Sequence, residues 1–227
     1  MIAQVLLILL TFNSVVIEPS NSSKIQGAWQ SGEGVAIFSG DYFSYAAFSA
    51  EEFGFTYGGS FVTDGDKVML SFEFHTSKPE LVGTTSDAAL AVKKNAMHFM
   101  NSEFKKIDDG SPGKLAGAWL FSNRIRNGTP GTPRAPENPR KTMKILSGKR
   151  FQWIAYNVET GEFMGTGGGT YTTAEGKYIE NIDFFSRDHS RVGASLEFDF
   201  ELQDGDWHHK GLSSKGDPIY EIWRLRE

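Results

Sequence analysis

The sequence contains most of itself twice. IQGAW at residues 25–29 returns as LAGAW at 115–119. The segment FSGDYFSYAAFSAEEFGFTYGGSFVTDGDK (38–67) then runs in step with LSGKRFQWIAYNVETGEFMGTGGGTYTTAEGK (146–177), with one two-residue insertion at Thr160 and Gly161. Further on, Val82-Gly83 falls on Val192-Gly193 and His98 on His208. The closing run Glu103-Phe104-Lys105-Lys106 falls on Glu221-Ile222-Trp223-Arg224. Fixed-period self-similarity of this kind means that the fold question reduces to what one copy can make, repeated once.

Each copy reads as a succession of short strands. In the second, RFQWIAYNV, EFMGTGGGTYTT, KYIENIDFFS, VGASLEFDFEL and DWHHKGL are separated by turn signals such as Glu159-Thr160-Gly161, Ala174-Glu175-Gly176 and Asp204-Gly205. The clearest alternation is ASLEFDFEL, where Leu196, Phe198, Phe200 and Leu202 share one face and Glu197, Asp199 and Glu201 the other. That pattern describes a strand with one dry and one wet side. The 25 glycines and 18 phenylalanines point the same way. With its opening GAW strand and its closing strand, a copy offers seven or eight antiparallel strands. Such a meander closes most economically into a small up-and-down barrel, because closure removes the exposed edges. The expectation is an all-β chain of two tandem small antiparallel up-and-down barrels: 24–108 the first, 109–114 a linker, and 115–227 the second.

Residues 1–23 stand apart. MIAQVLLILLTF is an apolar run of the length of a signal-peptide core rather than of a membrane span, followed by polar NSVVIEPSNSSK. The expectation is export, to the periplasm or outside the cell, with no membrane insertion of the mature chain. The absence of cysteine removes disulfides, thiolate metal sites and cysteine nucleophiles together, and fits an exported bacterial protein. A net charge of -5 gives no electrostatic reason to expect nucleic acid as a partner.

Gly27-x-Trp29 and Gly117-x-Trp119 each open a strand run that ends on a basic residue, Lys106 or Arg224. In this the chain resembles the calycins, the lipocalins and their relatives, and in particular the lipocalin-like domains of secreted bacterial proteins of unassigned function. The second copy carries the resemblance further, with GGGTYT, an acidic residue in the next strand (Glu180) and a D-G-D-W turn. The resemblance implies that Trp29 with Lys106, and Trp119 with Arg224, close the floor of each barrel by stacking a cation on an indole.

The copies part company after the tryptophan. Nine positions separate Trp29 from Phe38 but twenty-seven separate Trp119 from Leu146. The longer connection, FSNRIRNGTPGTPRAPENPRK, holds four prolines, the basic residues Arg124, Arg126, Arg134, Arg140 and Lys141, and a single acid, Glu137. Across a barrel mouth it would be a semi-rigid basic lid, its prolines lowering the entropy lost on ordering.

Motifs for catalysis are missing. No H-E-x-x-H, G-x-S-x-G or P-loop occurs, no metal or cofactor is expected, and GTGGGTYT falls inside a strand pattern, where glycines permit a bend or bulge. Strand parity puts Tyr178, Glu180, Ile182 and Phe184 on one face, with Phe151 and Trp153 on the preceding aromatic strand. Together with His208, Arg124 and Arg126, these are the expected ligand-binding residues. The expected function is non-catalytic binding of a small, partly apolar molecule in the second barrel, under the basic 120–141 loop. The alternatives are a small-barrel isomerase or hydrolase using Glu180 and His208, and a filled-barrel structural or interaction module.

Overall fold

In a computed structural model, residues 21–32, 34–111, 113–213 and 216–226 are described, so the expected leader lies outside them up to residue 20. A short helix, α1 (Asn21–Ile25), leads into β1 (Gly27–Ser31), β2 (Gly34–Ser39), β3 (Tyr42–Phe48), β4 (Phe53–Asp64), β5 (Lys67–His75), β6 (Thr85–Lys93), β7 (Ala96–Phe99) and β8 (Ser102–Asp108). Each strand pairs antiparallel with the next, and β8 returns to β1 to close the first barrel. The second copy comprises β9 (Gly117–Arg126), β10 (Thr129–Pro130), β11 (Arg140–Leu146), β12 (Arg150–Asn157), β13 (Phe163–Ala174), β14 (Lys177–Phe185), β15 (Ser195–Gln203), β16 (Asp206–Leu212) and β17 (Pro218–Leu225). Here β10 is a two-residue return on β9. The other eight strands close through β17 onto β9. The chain is all-β, two antiparallel eight-stranded barrels in tandem. No helix among the described residues is long and apolar enough to cross a membrane.

Both barrels are floored by the repeated tryptophan. The indole N–H of Trp29 donates to the Ile25 carbonyl at 2.7 Å, and that of Trp119 to the Leu115 carbonyl at 2.9 Å, so each buried ring has its polar edge satisfied by the segment that precedes it. In the first barrel Lys106 lies across the strand from Trp29, with its ammonium 4.5 Å from the ring and donating to the Lys24 and Gln26 carbonyls. The second barrel departs from expectation. Leu225 lies opposite Trp119, whereas Arg224 lies opposite Leu120 and turns outward to Asp206. Matching Lys106 to Arg224 is thus a slip of one residue, and in a strand one residue is a change of face.

The glycine pairs mark bulges. Gly58 pairs with Phe74 and Gly59 with Phe72, leaving Glu73 as an extra residue. Gly168 pairs with Phe184 and Gly169 with Ile182, leaving Asp183 extra. A Cβ at Gly59 would collide with the Ser71 carbonyl oxygen and one at Gly169 with the Asn181 carbonyl oxygen, so the close approach requires glycine. Each bulge turns the following phenylalanine to the outer wall. Phe184 is therefore not in the interior that simple alternation assigned it.

Those outward rings help to form the contact between the barrels. Phe184 stacks on Phe48 at 4.5 Å and lies 5.9 Å from Phe53, while Phe74 meets Tyr156 at 5.0 Å. Val35, Ile37, Met143, Ile145 and Ile154 fill the rest of this seam, all buried. It accounts for β2, which is buried along its whole length: Ala36 and Phe38 face their own barrel while Val35 and Ile37 face the other. Polar groups fix the register. Gln152 donates across the seam to Thr56 Oγ1 at 2.8 Å and, within its own barrel, to Thr166 Oγ1 at 3.0 Å. Asp108, the last residue of β8, accepts from Ser147 Oγ at 2.6 Å and from the backbone N–H groups of Gly110, Gly148 and Lys149. At the flank, Glu73 of the first bulge receives Arg226 in a two-pronged bond of 2.6 and 2.9 Å and the hydroxyl of Tyr156.

Burial alone would raise the Glu73 carboxyl, but the bonds from Arg226 and Tyr156 outweigh it and hold it below the usual carboxylate range. Its contribution is therefore present at neutral pH and lost as the pH falls below the ordinary carboxylate value of about 4.3 and through the lower folded one. Glu73→Ala strands a largely buried guanidinium, an effect of about 3 kcal/mol. A urea denaturation of this variant should show a correspondingly lower midpoint at pH 7. An unchanged midpoint would mean that the flank contributes nothing to holding the barrels together.

Candidate functional site

The interiors of the two barrels differ in kind. In the first, Phe38, Phe43, Phe61, Phe72 and Phe99 meet at centroid distances of 5.3–6.5 Å and fill the space with Leu70, Leu90 and Met97. The second holds a cavity of about 910 Å³. Its aromatic lower part, Phe151, Tyr171, Tyr178, Trp207 and Trp223, packs on the Trp119 floor. Over that lies a layer of buried charge.

Lys144 of β11 and Glu180 of β14 form an ion pair at 2.7 Å, both nearly inaccessible, and Tyr178 donates its hydroxyl to the same carboxylate oxygen at 2.8 Å. The Lys144 ammonium is also ringed by Tyr178, Trp207, Trp223 and Phe198, at 5.1–5.7 Å from each centroid. Aromatic faces compensate part of the hydration it has lost. Beside it, Glu221 of β17 accepts two bonds from Arg124, at 2.8 and 3.1 Å. The buried ring of His209, on β16, approaches Glu221 at 3.6 Å, too far for a hydrogen bond.

Strand register shows what each of these residues replaces. Lys144 lies opposite Trp119 as Ala36 lies opposite Trp29, and Glu180 opposite Tyr171 as Leu70 lies opposite Phe61. His209 opposite Glu221 corresponds to Phe99 opposite Ser102. Where the first barrel is filled with apolar side chains, the second keeps charge and space.

The long basic connection is part of the wall. Pairing of β9 with β11 stops at Leu120 and Met143, and beyond that point the strands diverge. The gap is occupied by the connection, held to β9 by Gly131 N–H to the Arg124 carbonyl, Arg134 N–H to the Ser122 carbonyl and Asn123 Nδ2 to the Gly131 carbonyl, all at 2.8–2.9 Å. It forms a strap that runs down one side of the mouth.

The expected site residues divide accordingly. Trp153, Glu180, Ile182, Arg124 and Arg126 line the cavity. Phe151 and Tyr178 are buried in the packed layer beneath it. Phe184 faces the seam for the reason given above. His208 is on the outer face, its Nδ1 2.8 Å from the Tyr220 hydroxyl, so it does not meet Glu180; the inward histidine is His209. Lys144 and Glu221 were not anticipated, although Lys144 interrupts an apolar run at the same parity as inward Leu146 and could have been found from that. No group of three or more metal-ligating side chains occurs among the described residues.

Two groups in this layer tie stability to pH. Burial first, and then the Lys144 charge, lower the pKa of His209. Burial works to raise the Glu221 carboxyl, yet His209, Lys144 and Arg124 bring it down to about 2. An unfolded chain takes up the histidine proton more readily, so the stability associated with the neutral ring is complete above about pH 6.5 and declines below it. That of Glu221 is complete above about pH 4.3 and lost as the pH falls towards 2. His209→Phe, which installs the residue found at this place in the first barrel, should flatten the dependence of the urea midpoint between pH 7 and 5 and leave the steeper loss below pH 4.5. The part-buried His75, also lowered chiefly by burial, supplies the residual slope. If the variant's profile between pH 7 and 5 matched that of the parent, His209 would not be the group responsible.

No family model matches the chain, and no curated protein shows a significant sequence match to it.

Proposed function

We propose that the chain is an exported, lipocalin-like binding protein whose second barrel holds a small, partly apolar molecule without transforming it, while the first barrel serves as its packed support. The observation that carries this reading is the contrast between the interiors. Two copies of one barrel share the floor tryptophan, bulges and register, yet one is filled by aromatic rings and the other keeps a cavity of about 910 Å³. Ligand chambers fall in the range of about 300–1,000 Å³ and combine apolar walls with a few placed polar groups. Here Phe121, Trp153, Ile182, Phe185 and Leu196 supply the walls, and Lys144, Glu180 and Glu221 the polar groups. Export rests on the apolar leader, and the lipocalin-like assignment on the repeated G-x-W and the barrel it opens.

The uncharged fluorophore N-phenyl-1-naphthylamine tests the chamber. It should bind with enhanced emission and quench Trp153 by energy transfer. Leu196→Trp, which places a large ring in the cavity, should weaken binding at least ten-fold. Absence of binding to the parent protein, or equal binding by the filled variant, would remove the chamber as a binding site.

A further inference from the structure

The charges in and around the chamber are not balanced evenly from floor to rim. In the deep layer Lys144 has Glu180, and the half-exposed Arg124 reaches in to Glu221, so each of these cations has a carboxylate. At the rim, Arg126, Arg134, Arg140 and Arg187 also line the cavity, and none of them has a carboxylate partner among the described residues. An incoming anion would have to displace an existing partner in the deep layer but not at the rim.

Within the rim, one place is better constructed than the others. The guanidinium of Arg187 is occupied by the Met164 carbonyl. Arg134 is held over the Phe121 ring at 4.8 Å, with Arg124 5.7 Å from the same ring. Burial, and then the nearby charges of Arg140 and Arg124, lower its pKa, so like charges are gathered here against their mutual repulsion. A second space of about 660 Å³ lies along the strap, and Phe121, Ser122, Arg134, Arg140 and Thr142 line both it and the chamber. Ser122 is only 4 % exposed, and its hydroxyl has no hydrogen-bond partner among the described residues. Buried polar atoms are ordinarily paired, so a donor left free beside two arginines that lack a carboxylate, Arg140 engaging only its Nε with Met164 Sδ at 3.2 Å, indicates a missing acceptor.

Resting on the reading of the second barrel as a binding chamber, we infer that its ligand is an amphipathic organic acid. Its anionic group is held by Arg134 and Arg140 beside Ser122, and its apolar body enters the chamber against Trp153, Phe185 and Leu196. The strap thus selects the ligand's charge, and the barrel selects its apolar shape. The first barrel, with its short β1–β2 connection, lacks the strap, and aromatic rings pack its interior.

A matched pair of probes separates this inference from the one on which it rests. 1-Anilinonaphthalene-8-sulfonate and N-phenyl-1-naphthylamine share an aromatic skeleton and differ by one sulfonate. At low ionic strength the sulfonate should bind about ten-fold more tightly, with the advantage shrinking as salt is added. The double variant Arg134→Gln/Arg140→Gln should lose that advantage and keep the parent's affinity for the uncharged probe, which also reports that the barrel is intact. Equal affinity of the two probes for the parent, or an undiminished sulfonate preference in the double variant, would overturn the anion subsite while leaving the chamber. Failure of both probes to bind would overturn the chamber and the subsite together.

Discussion

The apolar seam between the barrels is the constraint on which the rest of the structure depends. A small barrel usually presents a polar exterior, but here β2, β11 and β12 bury residues on both sides, and the outward rings of Phe74 and Phe184 lock across the joint. Burial of apolar surface stabilises by roughly 25 cal/mol per Å² removed from water, so several fully buried aliphatic and aromatic residues make the seam comparable to a domain core rather than to a loose domain contact. The bulges at Glu73 and Asp183 both create it and finish it. Each turns a phenylalanine into the seam, and the extra acidic residue is left at the flank, where Arg226 or Arg150 takes it up.

With that support in place, the second barrel carries features that would otherwise weaken it. A buried ion pair, a second carboxylate paired to a half-exposed arginine, a buried neutral histidine and unpaired indole N–H groups on Trp207 and Trp223 occupy positions that could be apolar. Replacing a buried ion pair by well-packed hydrophobic residues is commonly neutral or stabilising by about 1–4 kcal/mol. The first barrel demonstrates the apolar solution in the same framework, with Ala36, Leu70 and Phe99 at the corresponding places. The polar layer is therefore better understood as serving the chamber than as serving the fold.

Much of this architecture was legible in the sequence, because duplication, strand alternation and turn residues are local signals that agree with one another. The repeated tryptophan located both floors, and the unequal connection after it located the strap. What was not legible follows from single-residue shifts. Phe184 and Ile182 belong to one face under strict alternation, but the bulge at Asp183 separates them. The sequence alignment sets Arg224 on Lys106, one position out of step with the strand register. The alignment with His98 points to His208, whereas strand parity with the buried Trp207 makes His209 the inward member of the pair. Lys144 is legible only in part: its parity with Leu146 marks it as inward, but its partner Glu180, 36 residues away, is brought to it only by the closed barrel.

One strand joins the two halves of this arrangement. In β11, Met143 and Ile145 pack into the seam while Lys144, between them, projects into the polar layer of the chamber. Neighbouring residues of one strand cannot move independently, and packed interiors transmit displacement rather than absorb it. The two copies are thus not free to diverge separately. A substitution in the filled barrel that alters the seam by a methyl group also shifts the backbone that positions Lys144, so the history of the packed copy is bound to what its hollow twin can accommodate.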